Sequence, residues 1–241
     1  MNRLFALAFL FLAACGGGTT PPPPAPAPLP LPALYAADWT APGLVGLACD
    51  ESVPPACSGA APWLTFDRPG TQGRACAEPL PNACLALEGG RLAFTPGRGS
   101  PGFPIFTNRT FAGGFEAEAE VTAECLSQYC YFGLVAYNGE LNYRATYLAW
   151  APNGIQVWLY APTVAVPLTA TVYPQGSTLL LGIAYQAGEW RYYVNRVQVG
   201  PTETQGTVTP DAALLSADPH LAIFAGDVVG RIGRLEVYPP R

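Results

Sequence analysis

The sequence predicts an all-β domain built as a two-sheet sandwich, and three observations carry the prediction. The stretch FEAEAEV at 115–121 alternates apolar and acidic residues with a period of two, the signature of a strand with one face buried. Eight further runs are rich in Val, Tyr, Trp, Phe and Thr, the residues that pack well on a pleated surface. Turn-forming residues separate these runs about every ten positions, the spacing of short antiparallel strands.

In chain order, the first strands are a hairpin in which 84–87 and 91–94 flank Glu88-Gly89-Gly90. Runs at 105–111, 131–137, 143–150, 154–161, 179–186, 189–194, 221–225 and 230–238 supply the rest. Gly113-Gly114, Asn138-Gly139, Asn153-Gly154, Gly188 and Asn195 mark the reversals. Only TPDAALLSAD at 209–218 reads as a helix: Thr209 caps it, Pro210 suits its first turn and Pro219 ends it.

The first 33 residues have a different character. Arg3 gives a positive start, residues 4–14 are uninterruptedly apolar, and small residues follow. That is the layout of a secretory leader, too short for the ~20 residues of a bilayer span. Leu12-Ala13-Ala14-Cys15 resembles the bacterial lipobox, which implies a leader over 1–14 and lipidation of Cys15. Residues 15–33 are then the anchor cysteine and a tether. Proline dominates 19–32 and has no N–H to give a helix or sheet. Extended as polyproline II, those residues reach ~40 Å at most. The expected location is the cell envelope, outside the cytoplasm, with the outer membrane as the site in a cell that has one.

Residues 34–241 suffice for one domain with a full core. The formal charge of the chain is −5, or −6 once Arg3 leaves with the leader, and all twelve basic residues are arginine. No basic cluster exists, which argues against nucleic acid as a partner. The seven cysteines divide into Cys15 and three close pairs, Cys49/Cys57, Cys76/Cys84 and Cys125/Cys130. Short loops close most readily, which favours these local disulfides. CDESVPPAC and CAEPLPNAC share one pattern, and similar loops should close alike. Crossed pairing between them is the alternative. A zinc site is a poor fit to these spacings, because His220 is the only histidine.

The order GGRLAFTPG, PIFTNRTFAGGFEAEAEV, YFGLVAYN, YLAWAPNGIQVWLYAP, LLLGIAYQAGEWRYYVNRVQVG and GRIGRLEVYP resembles the concanavalin A-like lectin/glucanase superfamily. The resemblance covers roughly 89–238. It implies an antiparallel jelly roll with a convex and a concave sheet, and glycans bound on the concave face or its rim. Glucanases of that superfamily carry Glu-x-Asp-x-x-Glu on one strand. Here the strand in that place reads NYRATYLAWAP and has no carboxylate. Glu116, Glu118 and Glu120 lie on the preceding strand, lack the central Asp, and read as the solvated face of that strand. His220 reads as a histidine at a strand start, and no nucleophile has an evident base.

Sugar rings stack on aromatic faces, and planar polar groups bind hydroxyls. Candidate ligand contacts are Tyr137, Arg144, Trp150, Trp158, Tyr160, Arg191 and Tyr193. By alternation, Trp190 and Tyr192 point into the core, whereas Trp158 and Tyr160 lie opposite Ile155, Val157 and Leu159. The functional expectation is a lipid-anchored, non-catalytic domain that binds envelope or extracellular glycans. No catalytic residue, metal site or cofactor is assigned. The alternatives are a structural or protein-interaction domain and a glycoside hydrolase with an atypical site.

Overall fold

A computed structural model describes residues 32–41, 45–48, 63–66, 74–75, 84–95, 102–137, 143–161, 164–204 and 219–240. The first segments are short: β1 (Tyr35–Ala36), β2 (Val45–Ala48), β3 (Trp63–Phe66) and β4 (Arg74–Ala75). The expected hairpin follows as β5 (Cys84–Glu88) and β6 (Arg91–Thr95). Next come β7 (Gly102–Thr110), β8 (Phe115–Cys125), β9 (Tyr131–Tyr137), β10 (Tyr143–Ala151), β11 (Gly154–Ala161) and β12 (Val164–Tyr173). The chain closes with β13 (Thr178–Gln186), β14 (Glu189–Val194), β15 (Val197–Thr204), β16 (His220–Gly226) and β17 (Val228–Tyr238).

These strands form two sheets. The first runs β15-β14-β13-β8-β17-β6-β5-β4, with β1 also on β17; the second runs β12-β11-β10-β9-β16-β7-β3-β2. The pairing is antiparallel except for the short β2–β3 and β4–β5 pairs, which are parallel. The chain switches sheets after β1 and β3, on both sides of β7, between β8 and β9, between β12 and β13, and on both sides of β16, the Greek-key habit of a jelly roll.

Between the sheets lies one apolar core. Phe115, Ala117, Ala119 and Val121 enter it from β8, fully buried as the alternation requires. Leu134, Leu148 and Val157 meet them from the second sheet, and Trp190 and Tyr192 lie inside. The N-terminal residues seal one end. The Trp39 indole N–H donates to the Gly233 carbonyl, and the Trp63 indole donates to the Tyr35 hydroxyl at 2.6 Å. The Arg109 guanidinium lies over the Tyr35 and Phe111 rings, an arrangement attractive to a cation.

The acidic face of β8 differs from its expected solvation: Glu116 and Glu118 are each only 2% exposed. The reason is that β8 lies centrally, between β13 and β17, and long side chains from neighbouring strands cover it. Arg196, in the β14–β15 turn, donates to both Glu118 oxygens at 2.6–3.0 Å. Tyr193 covers Gly182 on β13, where an added Cβ would come within 3.0 Å of the tyrosine Cβ. Glu120 lies 3.7 Å from Arg91, and this pair is open to solvent.

Cys125 and Cys130 form a disulfide. The Cys15 lipidation site, the Cys49–Cys57 and Cys76–Cys84 pairings and the helix over 209–218 lie outside the described residues.

Candidate functional site

Alternation on β10 builds the site. Thr146 donates across the core to the Gly182 carbonyl of the other sheet, and Leu148 is in the core. Tyr143, Ala145, Tyr147 and Ala149 must therefore face outward. Register then assembles rows across the second sheet. Trp158 lies opposite Tyr147, Tyr147 opposite Gly133, and Gly133 opposite Phe224. The next row is Tyr160, Ala145, Val135 and Ala222; the row on the other side is Gln156, Ala149, Tyr131 and Gly226. Large rings thus alternate with small residues, so the rings form walls and the small residues a floor.

Two glycines are required by this arrangement. A Cβ at Gly133 would lie 2.3 Å from the Thr146 carbonyl oxygen and 2.5 Å from Tyr147 Cα. A Cβ at Gly226 would lie 2.6 Å from the Tyr131 ring. The rings also support one another. Phe224 stacks nearly parallel to Tyr160 at 6.3 Å and meets the Tyr147 ring edge-on at 5.3 Å. Tyr131 and Phe224 are 4.8 Å apart, and Tyr143 and Tyr160 5.3 Å. Such contacts favour offset and edge-to-face geometry.

The result is a cleft of about 820 Å³ running along β10, from Tyr143 and Tyr160 to Gln128 and Pro152. That size is typical of sites for small organic ligands. The described lining residues include no carboxylate, arginine or histidine. Its polar groups are tyrosine hydroxyls and two glutamines. Burial first, then the neighbouring Tyr160, pushes the Tyr143 and Tyr147 hydroxyls well above the ordinary tyrosine range. They are neutral hydrogen-bonding groups at any physiological pH. The Trp158 indole N–H donates to Gln156 Oε1 at 3.2 Å, and the Gln156 amide donates to the Thr169 carbonyl at 2.6 Å. This chain fixes the tilt of the Trp158 ring from the edge strand β12.

Of the residues expected from sequence to contact ligand, Trp150, Trp158 and Tyr160 come together in the cleft. Tyr137 shares the aromatic cluster but is buried at its edge. Arg144 is corrected: it is 1% exposed, inside the sandwich, with its guanidinium over the Trp190 ring. Its parity on β10 is that of Thr146 and Leu148. Arg191 and Tyr193 do not join this cleft. They do point outward, but from β14, which belongs to the opposite sheet. There Arg191 donates to Glu189 at 2.8 Å. His220 opens β16 as expected, buried, with Nδ1 2.7 Å from the Thr107 carbonyl oxygen.

Sequence reasoning missed Tyr131, Tyr143, Tyr147 and Phe224. The large-small-large-small order Tyr143, Ala145, Tyr147, Ala149 was the available signal for two of them.

The disulfide loop lines one end of the cleft. Gln128, Tyr129 and Cys130 line it together with Trp150 and Ala151 at the end of β10 and Pro152 in the following turn.

No protein-family model matches the chain, and no curated protein matches its sequence. Solved structures do match. SCLam, a non-specific endo-β-1,3(4)-glucanase of family GH16, is similar with a TM-score of 0.56 at 15% identity, over 90% of this chain and 96% of that one. A β-1,3-glucanase from Mycobacterium marinum is similar with a TM-score of 0.51 at 12% identity, over 86% and 99%. A GH43 protein from Bacillus licheniformis gives 0.50 at 13% identity over 64% of this chain, which spans only 34% of that longer protein. Two antiparallel sheets with this crossing pattern, matched over nearly the full length of two such structures, place the chain in the concanavalin A-like jelly-roll fold.

Proposed function

We propose that the chain is a lipid-anchored, non-catalytic carbohydrate-binding protein of the cell envelope, attached through Cys15 and taking neutral glycans in the cleft of the second sheet. The observation that carries this reading is the lining itself: aromatic walls over an alanine floor, and no charged side chain among the described lining residues. The apolar face of a sugar ring gains from stacking on such walls, and its hydroxyls find neutral partners in Gln156 and the tyrosines. The matched glucanases act on glycans, and the shared fold makes the same ligand class a reasonable starting point.

A binding role is favoured over hydrolysis by the chemistry of β10. Retaining hydrolysis needs two carboxyl groups ~5–5.5 Å apart beside the scissile bond. On the outward face of β10 stand Tyr143, Ala145, Tyr147 and Ala149. The carboxylates of β8 belong to the opposite sheet, and the buried Glu118 is paired with Arg196.

The test is calorimetric titration of the full chain with β-glucan and mannan oligosaccharides, with product analysis for hydrolysis. Trp158→Ala is expected to weaken binding by ~1–2 kcal/mol with a melting temperature close to wild type. A collapsed melt would place that ring in the core and remove it from the site. Glycan cleavage by the wild-type chain would overturn the non-catalytic reading.

A further inference from the structure

The cleft does not end with the sheet. Beyond β8 and β10 its wall continues as the loop between Cys125 and Cys130, and there two apolar side chains stand in water. Tyr129 is 73% exposed and Leu126 60%. Exposed loops ordinarily move, but this one is fastened from four directions. The Cys125–Cys130 disulfide closes it. Cys130 N–H donates to the Ser127 carbonyl at 3.2 Å, and Tyr129 N–H to Ser127 Oγ at 3.0 Å. Asp227, in the β16–β17 turn, accepts from Leu126 N–H through its carbonyl at 2.9 Å and from the Ser127 hydroxyl through its carboxylate at 2.7 Å. The Gln175 side chain accepts from Cys125 N–H at 2.8 Å and donates to the Gly154 carbonyl at 3.0 Å. The loop is thereby tied to Gly154 at the start of β11, next to the turn that follows Trp150.

These bonds fix the backbone from which the exposed Tyr129 ring projects, and an exposed ring gains little for folding, so the placement is explained by what the ring meets outside the chain. Rigidity set during folding removes an ordering cost at binding. Trp150, 40% exposed, stands with Tyr129 among the lining of the same end of the cleft.

The position of this rim matters as well. Tyr35 pairs with Val237, which pairs with Ala117, whereas Cys125 lies eight residues further along β8. At ~3.4 Å per residue the rim is about 27 Å along the sandwich from where the N-terminal segment joins it.

We infer that the Cys125–Cys130 loop is a preorganised second stacking station, with Tyr129 as its platform, that extends the cleft to take several units of an uncharged glycan chain. The inference rests on the glycan-binding reading and adds residue, ligand length and a disulfide requirement to it.

The experiment is titration of the full chain with a neutral β-glucan disaccharide and hexasaccharide, and with a hexasaccharide oxidised to carry carboxylates. Tyr129→Ala is expected to weaken hexasaccharide binding about tenfold, to leave the disaccharide within twofold, and to leave the melt unchanged. Tyr129→Phe should restore the wild-type values, because stacking needs the ring and not the hydroxyl. The double variant Cys125→Ser, Cys130→Ser should lose the same length preference, and the carboxylated chain should bind wild type more weakly. If wild type binds neither oligosaccharide, the glycan reading itself fails and this inference falls with it. If wild type binds and Tyr129→Ala affects both lengths equally or neither, the glycan reading stands and the second station does not exist. Should the cysteine variant fail to fold, the two Tyr129 variants decide the matter alone.

Discussion

Glu118 provides a sharp test of whether the acidic strand is structural. Its carboxylate is 2% exposed and faces the Arg196 guanidinium, whose side chain is 9% exposed. Deleting one member of a buried pair leaves the other charged and unmatched, which costs ~3–5 kcal/mol. Residual solvent at Arg196 puts Arg196→Ala near the low end, about 3 kcal/mol. Arg196 also has a φ of +64°, a left-handed conformation that costs a side-chain-bearing residue about 1 kcal/mol. Arg196→Gly should therefore be less destabilising than Arg196→Ala by roughly that amount, although both lose the ion pair. Glu118→Gln keeps the shape and one acceptor and should cost about 2 kcal/mol. The double variant Glu118→Gln, Arg196→Ala should cost less than the sum, with a coupling of about 2 kcal/mol. Urea titrations report these differences, and for a domain of this size 3 kcal/mol corresponds to ~6–12 °C in Tm. Oligosaccharide affinity should not change, because the pair lies on the opposite sheet from the cleft. Strict additivity, or a loss below about 1 kcal/mol for Arg196→Ala, would refute the buried-pair argument. Glycan hydrolysis that disappears in Glu118→Gln at unchanged stability would assign the carboxylate to chemistry instead.

Three other outcomes are expected. Gly133→Ala should cost about 3 kcal/mol or more and abolish oligosaccharide binding, because its Cβ meets backbone at 2.3 Å and only separation of β9 from β10 can relieve that; a wild-type melt would show the floor to be less tight than described. Burial lowers the His220 pKa, with bonds to the Thr107 and Arg109 carbonyls opposing. The folded state then binds fewer protons than the unfolded one, so stability falls as pH drops below about 6.5 and levels off at the depressed folded value; His220→Gln should flatten that decline in melts between pH 7 and pH 5, and an identical decline would place its origin elsewhere. Cys15→Ser should lose any lipid mass and leave the membrane fraction; membrane retention by the variant, together with an unlipidated wild type, would end the anchor proposal.

Strand identity was legible where pattern and environment agree. On β8 the apolar positions point to a core that exists, and on β14 Trp190 and Tyr192 alternate correctly with Arg191 and Tyr193. Two of the strands missed, β12 and β15, each contain a proline, Pro167 and Pro201, and each lies at an edge of its sheet. An edge strand has a row of N–H groups without partners, so a proline there costs little. Sequence alone does not say which strands are edges, so a proline in such a run argues against a strand. The solvation of Glu118 failed for a related reason. Period two assigns a residue to the outer face but does not reveal that Arg196, seventy-eight positions away, covers that face.

The site was legible by parity within a strand and illegible by membership of a sheet. Trp158 and Tyr160 could be placed because Ile155, Val157 and Leu159 define the inward parity on the same strand. Arg144 could have been placed the same way: Leu148 marks the inward parity of β10, and Arg144 shares it. A buried arginine is rare enough that its charge outweighed its phase in the reading. Arg191 and Tyr193 were beyond reach of either argument, because their outward direction was correct and only the order of strands puts them on the far sheet. The cleft also depends on that order. Phe224 comes from β16, more than sixty positions after Trp158 on β11, yet one row of register sets both beside Tyr147 and Gly133. Aromatic walls from four strands converge because small residues occupy the places between them. A search for rings alone finds half of such a site; the alanines and glycines at alternate positions specify the other half.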